Sequence, residues 1–413
     1  MRLTERHIVR DGAAGYDKLC AVAHLSKNLY NAGLYAVRQQ FFEDGHYMPY
    51  AALCKKLQDD GNPDYVAMPR KVSQQTLRML DRNFKSFFAA IKEYGKDRSK
   101  FKRAPSLPRY LDKEGFYTVA YTKQAVSKKE WDKGVLKLSG VEGVTFRTKV
   151  SYDALDEVRV EPMCGHIVVS VAYTVPDVAL LPDNGRYAAI DLGIDNLATV
   201  ASNVKGFKTF AISGKALKSY NHRYNQLKAK YQSVAELRNK RKKTKRLRSL
   251  ESKRRFYIDD YMHKASRLIV NRLVSESVNT LVIGYNKEWK QDTDMHKDVN
   301  QNFVAIPHKR LVDMLRYKCA LVGINVLLQE ESYTSKCSFL DGEEVCKHDR
   351  YAGRRRHRGL FRASDGRLIN ADVNGALNIL RKCKPKAFAD GIGGVVVHPV
   401  IIKMANGCFS DFH

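Results

Sequence analysis

YAAIDLGIDNLATV, residues 187–200, is the stretch on which the reading of the chain turns. An apolar run ends in Asp191, turns through Gly193 and resumes as an apolar strand. A carboxylate at the end of a buried strand is costly unless something positive pairs with it. A divalent metal ion is the most economical partner, because hard cations take carboxylate oxygens. One acid does not hold a catalytic metal alone, so its partners must lie elsewhere in the chain.

Working downstream, Phe207–Ile212 reads as a third strand, which makes a meander with the two of the opening stretch. Lys215–Ser275 reads as a helical hairpin. Its middle, RNKRKKTKRLRSLESKRR (238–255), holds eleven Lys/Arg and one acid among eighteen residues. Flanked by Tyr224, Leu227, Tyr231, Tyr257, Tyr261 and Ile269, it is a basic tip suited to phosphates, with Arg241, Lys242, Lys243, Lys245 and Arg246 at its centre. TLVIG (280–284) is a short buried strand, Asn302–Val322 a helix and Ile324–Glu330 another strand. That strand–helix–strand order predicts parallel neighbours. A basic loop, Cys337–Arg367, follows. In LINADVNGALNILRK (368–382), Asn370 is the expected N-cap and Leu377 and Leu380 face a core. Asp372 falls in the first turn, where the helix dipole favours an acid and a plain capping role would explain it.

Upstream, residues 2–10 alternate as a strand and 16–42 step apolar residues by three and four as a helix. A second helix over 70–95 sets Leu77, Leu80, Phe84, Phe87, Phe88 and Ile91 on one side. Its other side carries Lys71, Gln75, Arg78 and further basic residues, with acids nearly absent. That side is either a solvated face or a nucleic-acid face. GKDRSKFKRAPSLPR (95–109) is a basic, proline-broken loop. Short strands then follow at 117–121, 135–138, 144–147, 157–160 and 166–173. PDVALLPDNG (176–185) reads as a linker.

The chain has 413 residues, 44% of them hydrophobic, and a net charge of +28. Its sequence pI is 9.7. The charge excess calls for a polyanionic partner. No apolar run long enough to span a bilayer occurs, so no membrane partner is expected. The opening MRLTERHIVR is charged and lacks an apolar h-region, so no signal peptide is expected. Eight cysteines without a CxxC pair favour a reducing cytosol over a disulfide framework. The expected location is a bacterial cytoplasm, associated with the nucleoid when bound to DNA.

A three-strand meander, then strand–helix–strand, then a helix opening with Asp is the order of an RNase H-like fold. The chain resembles the transposon-encoded TnpB proteins, relatives of the miniature type V CRISPR effectors. The matching text is IDLGIDNLATVAS (190–202), NKEWKQ (286–291), NQNFVAIPHKRLVDMLRYKCALVGI (300–324), ESYTSK (331–336) and NADVNGALNIL (370–380). The resemblance implies an α+β multidomain protein. A small wedge β-barrel (1–15 and 98–180) would enclose a helical recognition insertion (16–97). A RuvC nuclease domain (186–336 and 368–383) would follow, with its helical hairpin at about 215–275. A degenerate zinc-finger-like loop (337–367) would bind target nucleic acid, and 384–413 would be a C-terminal tail. The implied activity is RNA-guided, metal-dependent cleavage of double-stranded DNA beside a short flanking motif, with a transposon-derived guide RNA and two Mg²⁺ ions. Asp191 and Asp372 match the first and third acids of the family. Lys71 and Gln75, with Tyr50 and Thr122 as weaker candidates, are implied to read the flanking motif.

Two departures stand out. The family usually places a Glu just after the strand at 280–283, and this chain has Gly284-Tyr285 there. Glu288 lies beyond the strand. Either the protein binds DNA under guidance without cutting, as a repressor would, or the acid comes from the neighbouring strand about 4.8 Å away. That strand runs into Glu330-Glu331. Glu331 is the first choice, Glu330 the second, and alternation sends them to opposite faces. Gly284 would leave space for the relocated side chain. Asp195 is at most an auxiliary ligand. The second departure concerns zinc. Cys337, Cys346, His348 and His357 have the unfamiliar spacing C-x8-C-x-H-x8-H, so zinc is not expected. Arg354, Arg355, Arg356 and their basic neighbours suggest that nucleic acid orders the loop. A miniature CRISPR effector and a non-catalytic RNA-binding structural protein are the remaining alternatives. Oligomeric state, guide and cut pattern are not legible.

Overall fold

The computed structural model describes all residues except 164, 240–243, 287–305, 390, 406, 412 and 413. It divides into two compact units, Met1–Pro176 and Asp177–His413. Both mix helices with sheets, an α+β architecture. No helix among the described residues is long and apolar enough to cross a membrane.

The first unit begins with β1 (Arg2–Arg10), followed by helices α1 (Tyr16–Asp44), α2 (Tyr50–Asp59), α3 (Pro63–Val66) and α4 (Arg70–Lys96). Strands β2 (Val119–Thr122), β3 (Val135–Lys137), β4 (Thr145–Arg147), β5 (Leu155–Met163) and β6 (His166–Thr174) come next, with the short α5 (Lys128–Trp131) between β2 and β3. Helices α1 and α4 pack Leu29, Leu34, Leu77, Leu80 and Phe84 into one core with Val119, Tyr121 and Val158 of the sheet. Their approach is close. A Cβ on Gly33 would meet Leu77 Cδ2 at 2.7 Å. Each fully buried aliphatic or aromatic side chain contributes about 1.5–3 kcal/mol.

The expected barrel does not close. The sheet has four antiparallel strands in the order β1-β6-β5-β2, and β3 and β4 pair only with each other. The reason lies in strand length. β1, β5 and β6 each have nine residues, whereas β2 has four and β3 and β4 have three. The short strands lack the ladder needed to bridge the two edges.

In the second unit, β7 (Tyr187–Leu192), β8 (Asn196–Ser202) and β9 (Phe210–Ser213) form the meander, antiparallel throughout. Helices α6 (Lys215–Asn239) and α7 (Lys245–Ser275) form the hairpin, and β10 (Thr280–Gly284) pairs parallel with β7. Helix α8 (His308–Ala320) and β11 (Asn325–Gln329) follow, with β11 parallel to β10. The helix begins later than its periodicity suggested, and residues 302–305 of that expectation lie outside the described residues. On one sheet face Ile190, Val200, Ile212, Leu281 and Ile283 pack with α7 and α8 through Tyr261, Ile269, Leu311 and Leu315.

The other face carries α9 (Ala371–Cys383), which seats Ile379 and Leu380 against Ala189 and Val282. Two expectations fail between and beyond these elements. The basic loop contains two strands, β12 (Arg354–His357) and β13 (Leu360–Arg362), which join β14 (Leu368–Asn370) just beyond it in a small sheet. The supposed tail supplies β15 (Val400–Ala405) and β16 (Cys408–Asp411), which extend the main sheet to seven strands in the order β11-β10-β7-β8-β9-β15-β16. Val400–Ile402 pairs with Phe210–Ile212 and so covers an edge that would otherwise be unpaired.

Candidate active site

Asp191 lies at the end of β7, Glu331 just past β11 and Asp372 in the first turn of α9. Ile190 pairs with Ile283, and Gly284 with Gln329, so Asp191 lies one step past a continuous three-strand register. Asp191 shares a sheet face with Ala189, which packs on α9. A Cβ on Gly375 of α9 would stand 2.8 Å from Asp191 Oδ2, so this glycine lets the helix come down onto the carboxylate. Gly375 is three residues after Asp372, on the same side of the helix. Asn370 caps α9, accepting from the backbone N–H of Asp372 and of Val373. Asp372 Oδ2 accepts from Asn196 Nδ2 at 2.7 Å, which ties the helix start to the first residue of β8.

The third carboxylate is Glu331, just past β11. Its side chain lies over Gly284, where a Cβ would collide with Glu331 Oε1 and with Ile379. Glu330 goes the other way. Lys382 Nζ donates to its Oε2 at 2.8 Å, and the Ser332 hydroxyl also donates to it. The two neighbours differ accordingly. Hydrogen bonds from Lys382 and Ser332 hold the Glu330 carboxyl down at about 2. Burial, reinforced by the Glu330 charge, pushes Glu331 up to about 7. Asp191 retains slight surface access, yet the protein mass around it raises its pKa well above the carboxylate range. The charges of Glu331 and Asp372 add to that rise, and the Arg355 charge opposes it. Glu331 Oε1 is buried and without a hydrogen-bond partner.

These features suit a hard divalent cation: oxygen donors only, excess negative charge and one buried oxygen left unsatisfied. Among the described residues, no three His, Cys, Asp or Glu side chains stand close enough together to form a ready cation cage. Asp372 is turned to Asn196 and Glu331 to Asn286. Asp195 is engaged by Lys218 Nζ at 3.2 Å and by Arg358.

The basic candidates fall into three groups. Lys71 and Arg78 are exposed on α4 with Gln75 half-buried between them, and the Arg78 guanidinium sits 4.9 Å from the Tyr50 ring centroid. Thr122 ends β2. Lys245 and Arg246 open α7, with Arg246 stacked 4.1 Å from the Tyr231 ring centroid, whereas Arg241, Lys242 and Lys243 lie outside the described residues. Arg354, Arg355 and Arg356 are exposed on β12. In the segment between, Cys337 Sγ lies 3.5 Å from the Cys346 carbonyl, Cys346 Sγ 3.4 Å from His348 Nε2, and His357 Nδ1 near the Arg358 carbonyl.

Sequence reading missed the amides. Asn374 and Asn378, fully buried on α9, donate to the carbonyls of Cys337 and Thr334, and Asn374 Oδ1 accepts from the Phe339 N–H. They pin the segment after Glu331 to the helix that carries Asp372. Their i, i+4 spacing on an apolar helix face was the available signal, since a buried amide demands partners.

A family model described as a probable transposase, OrfB_IS605, matches residues 170–290. A Cas12f1-like TNB domain matches residues 308–379. The TnpB-like protein ORF457 of Acidianus two-tailed virus is 25% identical over 409 residues, covering 88% of this chain and 83% of that protein. The CRISPR-associated endodeoxyribonuclease Cas12f2 of Micrarchaeota archaeon (strain CG1_02_47_40) is 28% identical over 218 residues, covering 48% of this chain and only 38% of that protein. Among solved structures, the Cas12f1–sgRNA–target DNA complex is 14% identical with a TM-score of 0.36, covering 91% of this chain and 98% of that one. CasPhi-2 (Cas12j) bound to crRNA is 9% identical with a TM-score of 0.40, covering 92% and 98%.

Proposed function

We propose that the chain is a TnpB-family protein, on the strength of its matches to the OrfB_IS605 and Cas12f1-like TNB models and to a TnpB-like relative, and that it is an RNA-guided endonuclease that hydrolyses double-stranded DNA beside a short flanking motif. The second unit is read as an RNase H-like RuvC domain, in keeping with its strand order and with the acids at the carboxyl ends of β7 and β11. The first unit is read as the wedge and recognition module. The observation that carries the proposal is the placement of Glu331 over Gly284, against Ile379 of α9, where its charge acts on Asp191. It puts a carboxylate where the expected one is missing.

In this reading Asp191, Glu331 and Asp372 hold two Mg²⁺ ions, which when bound supply activation of a water and stabilisation of the leaving oxygen. The chain's own residues do the rest. Glu331 Oε1, buried and unpartnered, is preset to accept a cation. Arg355, whose charge already acts on Asp191, draws the phosphodiester toward the acids. Basic residues of α7 and β12 hold nucleic-acid backbone, and pairing between guide RNA and target supplies sequence specificity. Lys71 and Gln75 of α4, with Tyr50 and Thr122, read the flanking motif, and Arg78 contacts nucleic-acid backbone.

The test is a ribonucleoprotein of the full chain and its guide RNA, given matched duplex DNA and Mg²⁺. Cleavage that depends on complementarity and stops with EDTA is expected. Tight guided binding without cleavage would instead establish the repressor-like alternative. Cutting by Glu331→Gln at the wild-type rate would remove Glu331 from the site.

A further inference from the structure

Relocating a carboxylate to Glu331 creates a difficulty. Glu331 lies beyond the end of β11, in a turn rather than in a ladder, and its side chain has several rotatable bonds. A ligand that wanders loses affinity, because its ordering must then come out of the binding free energy. The structure shows how the wandering is limited. β10 ends at Gly284, and the Tyr285 N–H still donates to the Gln329 carbonyl at 2.9 Å. The next residue, Asn286, turns its amide to Glu331. Asn286 Oδ1 accepts from the Glu331 backbone N–H at 3.0 Å. Asn286 Nδ2 points at Glu331 Oε2, at a longer 3.4 Å. The first bond fixes the orientation of the amide. A backbone N–H can be met only by the amide oxygen, so the NH₂ group must face the carboxylate.

The consequence is a division of labour between the two carboxylate oxygens. Oε2 faces the Asn286 amide, and Oε1 lies over Gly284 with no partner. We infer that Asn286 is a positioning residue that clamps Glu331 through its backbone N–H and Oε2, leaving Oε1 aimed at the divalent-cation site. The inference rests on the reading of Glu331 as a metal ligand. Asn286 is not a ligand in it and touches no substrate. Gly284 supplies the room, Asn286 supplies the aim, and together they allow the end of β10 to serve a carboxylate carried by a different strand.

The experiment compares wild type, Asn286→Ala and Glu331→Gln as full chains. Mn²⁺ binding is followed calorimetrically without nucleic acid. Single-turnover cutting by each ribonucleoprotein is followed against Mg²⁺ concentration, and guided DNA binding and metal-free melting serve as controls. Loss of an outer partner typically costs about 10–100-fold in metal affinity or activity. Asn286→Ala is therefore expected to bind Mn²⁺ at least about tenfold more weakly. Its cutting should fall at low Mg²⁺ and recover largely at saturating Mg²⁺, with melting and guided binding unchanged. Wild-type Mn²⁺ affinity in Asn286→Ala, alongside a dead Glu331→Gln, overturns the clamp and leaves the ligand reading standing. Full activity in Glu331→Gln overturns both. Earlier melting together with weaker guided binding in Asn286→Ala makes the residue structural and also overturns the clamp. Should that variant not fold, Asn286→Ser carries the same expectations.

Discussion

Glu331 links metal, pH and stability in a way that is measurable without any cleavage assay. Burial and the neighbouring Glu330 charge raise its carboxyl from an ordinary 4.5 to about 7 in the folded protein. A carboxyl whose folded pKa lies above its unfolded value favours the protonated form. The contribution is fully present below the unfolded pKa and is lost as pH rises through the folded one. Metal-free protein should therefore lose stability between about pH 4.5 and pH 7 as Glu331 ionises. At about 1.4 kcal/mol per tenfold change in acidity, the rise to about 7 corresponds to roughly 3 kcal/mol. Asp191 shifts in the same direction for the same leading cause, burial. The chain carries many other charged groups, with a net charge of +28, so the informative quantity is a difference. Glu331→Gln removes the ionisation and keeps the shape. In EDTA at pH 5 the variant and wild type should differ by less than about 1 kcal/mol. At pH 8 the variant should be the more stable by roughly 3 kcal/mol, which for a unit of this size is about 6–12 °C in the transition of the second unit. Saturating Mg²⁺ at pH 8 should reverse the order, because the ion stabilises only the carboxylate that can bind it. Scanning calorimetry at both pH values, with and without Mg²⁺, checks this. Parallel melting of the two proteins across pH 5–8 in EDTA would refute the buried, charge-burdened Glu331.

Two further outcomes follow from the geometry. Gly284→Ala places a methyl group into Glu331 Oε1 and Ile379, so it should cost about 1–3 kcal/mol by overpacking and suppress cutting. In a double-mutant cycle, adding Glu331→Ala should recover much of that stability while leaving cutting absent. Replacing Lys245 and Arg246 together with alanine should lower the slope of log affinity for guide RNA against log salt by roughly 1.4, at about 0.7 for each phosphate no longer neutralised. An unchanged slope in filter binding across salt concentrations would assign the α7 start to solvent.

The parts of the fold that were legible are those where one local rule dominates. The meander at 187–213 follows from alternation and glycine turns, and α4 and α9 from apolar faces with three- and four-residue steps. The parts that were not legible depend on pairing between distant segments. Nothing local in VIIKMA (400–405) says that it will cover β9, since its apolar run fits any edge strand. Nothing local in β2, β3 and β4 says that they are too short to close a barrel, because closure is a property of the whole ladder. The site divides along the same line. Asp191 and Asp372 stand where a strand ends and a helix begins, positions that a sequence marks. Glu331 was reachable only because Gly284 left a gap that a neighbouring strand was placed to fill. Asn286 was not reachable, because the role proposed for it exists only if Glu331 serves the end of β10 from β11. A glycine where an acid is expected first reads as loss. Beside a half-buried glutamate whose backbone N–H is held by the next amide along, the same glycine is, in the proposed reading, the space that a relocated carboxylate requires.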